Sequence, residues 1–151
     1  MWSFRKGLRI SREAQGRRAA SELLEVLYFC DQALPMLPHT DNSPGSPLSY
    51  GERQGIARPM LDRLSHAEFT LVPQVTSPEL AKRFSTFAKL CQHISGPQAD
   101  ALHVHSTVEQ VRGYDTHIRA CLVAYIDGKP LPAPADVATP DRASHDRRAH
   151  Y

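Results

Sequence analysis

The chain has 151 residues, 41% of them hydrophobic and 23% charged, and a formal net charge of +2. That length suits a single domain with one real core. No apolar run approaches the roughly 20 residues needed to cross a bilayer, and Cys30, Cys91 and Cys121 lack the paired spacing of a disulfide framework or zinc ribbon. The expectation is a cytoplasmic protein, with peripheral membrane contact as the variant.

Charge is unevenly spread. Residues 1–18 carry six basic side chains against Glu13 alone, whereas residues 19–128 carry eight basic and twelve acidic ones. A mildly acidic body argues against a nucleic-acid-binding surface on it. The basic charge belongs to the front end.

In chain order, residues 1–10 form a basic, aromatic lead, and a first helix is expected over about 11–34. Its stripe is Ala19, Ala20, Leu23, Val26, Leu27, Cys30 and Leu34, recurring at spacings of three and four. Pro35 and Pro38 end it, and a long Pro/Ser/Gly loop runs to Ser49. A second helix is expected over about 50–72, with Ser49 and Glu52 as a capping box and Ile56, Ala57, Met60, Leu64, Ala67 and Leu71 as its stripe. Pro59 lies inside that pattern and predicts either a kink or a helix that begins there. "TSPEL" restarts the chain with Ser77 as N-cap, Pro78 at the first helical position and Glu79 favourable to the helix dipole. The third helix, about 78–95, carries Leu80, Ala81, Phe84, Phe87, Ala88, Cys91 and Ile94, and Gly96-Pro97 stops it. The fourth is expected over about 98–127, ended by Gly128 and Pro130. Residues 129–151 read as a disordered Pro/Ala/Arg tail. Residues 11–128 therefore predict an all-α, antiparallel four-helix bundle.

"HVHSTVEQVRGYDTH", residues 103–117, concentrates three histidines and two carboxylates. At about 100° per residue, His103 and His105 point roughly 200° apart, and His117 lies about 21 Å from His103 along the axis. No i,i+3 or i,i+4 pair of ligands exists, so no metal is expected here. Asp115 is different. Val104, Val108, Val111, Ile118, Leu122 and Tyr125 define an apolar sector with Asp115 in its middle. A carboxylate there must be paired or hydrogen-bonded. Arg112 or Arg119 on the same helix, a polar partner on another helix, or a role as a functional acid would each answer that need, and a helix rotated to set Asp115 at the rim would remove it.

The three cysteines fall on or beside three core stripes and read as buried small hydrophobes. His66 and His93 lie on the polar sides of their helices. No nucleophile motif of the G-x-S-x-G kind and no Gly-rich phosphate loop occurs, so neither a catalytic constellation nor a cofactor is expected. In the lead, Trp2, Phe4, Leu8 and Ile10 interleave with Arg5, Lys6, Arg9 and Arg12. Such a segment can be a solvated entry to the first helix, lie on an anionic membrane surface, neutralise phosphates, or serve as an organelle transit segment.

"VRGYDTHIRACLVAYIDGKPLP", residues 111–132, resembles the final helix of uncharacterised small helical proteins of actinobacteria. The likeness rests on Ala124-Tyr125 followed by the exit Gly128-Lys129-Pro130-Leu131-Pro132, and on the basic helix start "SREAQGRRAASELL". It implies a helical bundle and no known activity. The leading expectation is a non-enzymatic bundle that contacts another protein, its own copy included. The first alternative is a peripheral membrane module attached through the basic lead; the second is a small-ligand-binding or enzymatic bundle centred on Asp115.

Overall fold

The computed structural model describes residues 2–37, 50–94 and 101–135. Among them the chain forms four helices: α1, Trp2–Ala33; α2, Tyr50–Thr70; α3, Pro78–Ile94; and α4, Ala101–Ile126. Ser49 as a cap, Gly96-Pro97 as a stop, the start of α4 at Gln98 and residues 136–151 of the tail lie outside the described residues.

The helices pack in a ring, α1 on α2 and α4, and α3 on α2 and α4. Tyr125 near the end of α4 meets Gly16 early in α1, while Arg119 pairs with Asp31 late in α1, so these two helices run antiparallel. Arg63 of α2 stacks on Phe29 of α1, and Arg83 of α3 reaches Cys121 of α4. The architecture is an all-α four-helix bundle. Its centre holds Phe84 and Phe87, with ring centroids 6.1 Å apart and planes tilted by 55°, a favourable aromatic geometry. Leu23, Leu27, Met60, Leu64, Ile118 and Leu122 close around them from the other three helices.

Local chemistry accounts for the start of α3 and the end of α4. Ser77 caps α3 as its sequence predicts: its Oγ accepts the Leu80 N–H at 3.2 Å and its carbonyl accepts that of Ala81 at 3.1 Å. After α4, Gly128 takes φ +69°, Lys129 N–H donates to Ala124 O at 2.8 Å and Gly128 N–H to Tyr125 O at 3.1 Å. That is a Schellman ending, which requires a residue free to adopt the left-handed conformation. α2 passes through Pro59 without breaking. The carbonyl that loses its donor belongs to Gly55, four residues back, and both positions are exposed, so water can take the missing donor's place.

Two boundaries differ from expectation. α1 starts at Trp2, not Ser11. Residues 2–10 contain no proline, and their Arg, Lys and Leu favour a helix, so nothing stops it from growing backwards. The tail begins later than Gly128 implies. Leu131 is half-buried against the core, and the Pro132 carbonyl accepts a 2.8 Å hydrogen bond from Arg83 Nη1, which docks residues 131 and 132 on the bundle.

Candidate functional site

Three features bear on function: an arm on α1, a polar cleft at Asp115 and a groove between α1 and α2.

The arm is the part of α1 ahead of the bundle. Gly16 is the first buried position among the described residues, and Ser11, Arg12, Glu13, Ala14 and Gln15 are all exposed. Five consecutive residues turn through about 500° of a helix, so no face of this stretch is covered. Gly7 and Arg9 are exposed as well, and the helix ahead of Gly16 runs about 21 Å from residue 2. Arg9 and Arg12 are exposed on it, with Arg9 3.5 Å from Glu13 in an i,i+4 pair. The side chains of Trp2, Phe4, Arg5 and Lys6 lie outside the described residues, although their backbone is part of α1.

At the base of the arm, a methyl group on Gly16 would overlap the Tyr125 hydroxyl and stand 3.0 Å from the Gln74 carbonyl. That hydroxyl accepts the Thr76 N–H at 3.1 Å and lies 2.9 Å from Thr76 Oγ1. α1, α4 and the turn before α3 are therefore pinned at one point, which only glycine admits.

Asp115 is buried, as its place in the apolar sector of α4 predicts, at 4% exposure. Its Oδ2 lies 3.4 Å from Arg119 Nε, and Arg119 also pairs with Asp31 of α1. The partner on the same helix is thus Arg119. Arg112 is 3.8 Å from Glu109 instead and acts on Asp115 only through its charge. Oδ1 of Asp115 has no hydrogen-bond partner. Burial pushes the carboxyl up from 3.8 to about 6, against the opposing pull of Arg112. It lines an open cleft of about 560 Å³ with Asp31, Glu109, Arg112, Thr116 and Arg119. A carboxyl that titrates near pH 6 can give or take a proton, and among the described residues lining the cleft the other acid–base groups are Asp31 and Glu109.

Sequence reasoning missed a second buried charge, Arg83. Its guanidinium donates to Glu79 Oε1 at 3.0 Å, Cys121 Sγ at 3.3 Å and the Pro132 carbonyl, and Nη1 lies 3.5 Å from His117 Nε2. Desolvation would favour losing its proton, but the bonds to Cys121 and Glu79 outweigh that and hold it charged. The signal was legible: Arg83 falls in the apolar sector of α3 between Leu80 and Phe87, as Asp115 does on α4.

Cys30, Cys91 and Cys121 are all buried free thiols. Burial pushes Cys30 up to about 12 and Cys91 well above an ordinary thiol. His117 is half-buried, lowered by desolvation and the Arg83 charge, while His66 and His93 are exposed. The side chains of His103 and His105 lie outside the described residues. Among the described residues, no three His, Cys, Asp or Glu side chains gather to hold a metal ion, and no helix is long and apolar enough to cross a membrane.

The groove between α1 and α2 encloses about 440 Å³. Val26, Ala67 and Leu71 line it with Glu22, Glu25 and Asp62, beside Arg63 and His66. The Arg63 guanidinium sits 4.3 Å from the centre of the Phe29 ring. No family model, curated protein or solved structure matches this chain.

Proposed function

We propose that this protein is a helical-bundle interaction module that engages a macromolecular partner through the α1 arm. One observation carries the reading: Ser11–Gln15 are exposed on every side of a helix that continues without a break into the core. A helix solvated all round gains nothing from tertiary packing. Its basic, aromatic composition suits an acidic surface with apolar spots.

A protein partner fits better than a membrane surface. Helices that lie on bilayers collect their apolar residues on one face. Here Phe4 and Leu8 share a side of the helix, while Trp2 and Ile10 fall roughly 100° or more away from them on either hand. The unpartnered Oδ1 of Asp115 supports a second reading, a site for a small hydrogen-bond donor. Thermal shift with a panel of amines and guanidines tests it: stabilisation of the wild type that D115N does not lose would sink it.

The interaction reading is tested with a photo-crosslinking residue placed at Ser11 and, as control, at exposed Lys89 of α3. In cells, the arm position should capture a discrete protein that the control does not. Equal capture at both positions, or flotation of the chain with anionic vesicles and no arm-specific adduct, overturns it.

A further inference from the structure

The arm and the α1–α2 groove complement each other, yet one chain cannot bring them together. Arg12 lies about 15 Å before Glu22 along the same continuous helix, so the arm reaches its own groove only by breaking α1. A second copy can supply what the first cannot.

The helical repeat makes the case specific. Positions 4, 8, 11, 15, 18, 22, 26 and 29 form one stripe of three- and four-residue steps along α1. Read in order it is Phe4, Leu8, Ser11, Gln15, Arg18, Glu22, Val26 and Phe29, apolar at both ends and polar in the middle. Run antiparallel against itself, the stripe sets Phe4 opposite Phe29, Leu8 opposite Val26, Ser11 opposite Glu22 and Gln15 opposite Arg18. It is nearly palindromic, as a two-fold interface between identical helices requires.

Charge agrees with that register. By register along the helix, positions 5 and 12 of one copy come level with Asp62 and Glu22 of the other, both exposed at the groove, and Arg12 is itself exposed. The groove carries three carboxylates against Arg63, and two largely exposed aromatics stand one turn from it: Tyr28 after Glu25, at 64% exposure, and Phe69 after His66, at 84%. An apolar floor with an acidic rim and aromatic edges is what a basic, aromatic helix needs.

We propose that two copies of this chain pair through α1, the arm of each lying in the α1–α2 groove of the other. The pairing rests on the interaction-module reading and names its partner. The shared stripe spans about 38 Å of helix. Pairing would cover the arm that a single bundle leaves bare.

Charge-swapped full-length variants test it by sedimentation velocity and native mass spectrometry. The wild type should run at twice the 16.8 kDa of one chain. R5E/R12E and E22R/D62R each set like charges opposite one another and should weaken pairing about tenfold or more, with added salt narrowing the difference. Mixed one to one, the two variants should form a dimer containing one of each, since every reversed arm then meets a reversed groove. Unchanged helicity and melting of each variant verify that the bundle is intact. A wild type that stays at monomer mass up to its solubility limit, variants that pair as well as the wild type, or a mixture that stays monomeric would each overturn the proposal. A monomeric wild type whose Ser11 adduct contains a different protein removes self-pairing and leaves the interaction module standing; no arm-specific adduct removes both.

Discussion

Replacing Gly16 with alanine sets two effects against each other. Inside a helix, Gly→Ala stabilises by about 1 kcal/mol through backbone entropy and solvation. Here the new methyl would collide with the Tyr125 hydroxyl and press on the Gln74 carbonyl at 3.0 Å. Overpacking of this kind costs about 1–3 kcal/mol, and moving Tyr125 aside forfeits its bonds to the Thr76 N–H and Oγ1, at about 1 kcal/mol each. The collision wins, and G16A should lose about 2–4 kcal/mol net. The cycle with Y125F isolates the cause. Without the hydroxyl, the nearest ring atom stands 3.5 Å from the methyl, an ordinary contact. G16A should therefore cost much less in Y125F than in the wild type, a coupling of about 1–2 kcal/mol by urea denaturation. If G16A alone raises stability, or if the two losses simply add, the close approach of α1 and α4 at this point is wrong.

Three further outcomes follow from the buried polar groups. Asp115 holds its proton more tightly in the folded chain, where burial puts it at about 6, than an ordinary aspartate does at 3.8. Its contribution is therefore most favourable below about pH 4 and is lost as pH rises through about 6. Relative to D115N, the wild type should lose up to about 3 kcal/mol of stability between pH 4 and 7 by denaturant titration; a relative gain would contradict the burial argument. R83M removes the donor to Pro132, Glu79 and Cys121, and should cost about 2–3 kcal/mol while moving the Leu131 methyl resonances toward solvent-exposed values. Unchanged Leu131 resonances would show that Arg83 does not hold the exit segment. Native protein should leave all three thiols unreactive toward an aromatic disulfide reagent until it is unfolded, because each is buried; a fast-reacting thiol in the native state would contradict this.

Features whose cause is local in the chain were legible. Ser77, Pro78 and Gly128 act through their own backbones, and helix periodicity places Asp115 in the core because its neighbours at i+3 and i+7, Ile118 and Leu122, are buried. Arg119 was foreseeable as its partner since it is one turn away. Asp31 was not, because nothing in either local pattern brings the two helices together. Arg83 escaped notice for a related reason. A charge in an apolar sector is recognisable, but its partners lie on three different segments, Pro132 among them, and that same bond explains why the docked exit looked like tail. The start of α1 was misplaced because an apolar stripe marks where a helix packs, and the arm is helical without packing. Residues 11–24 and 111–132, far apart in the chain, meet in the fold at Gly16 and Tyr125.

The proline within α2 has a consequence for how the bundle breathes. Gly51, Gly55 and Pro59 fall within ten residues of one helix, each less favourable there than alanine, by about 1 kcal/mol per glycine and about 3 for proline. None of the other three helices contains a proline beyond its first residue. The first half of α2 is then where the bundle opens at least cost, ahead of global unfolding. α2 also forms one wall of the groove, through Asp62, His66 and Ala67. The element that would receive a second copy's arm thus begins in the part of the bundle with the most slack, and occupancy would register as slowed amide exchange along the first half of α2, at a distance from the contact itself.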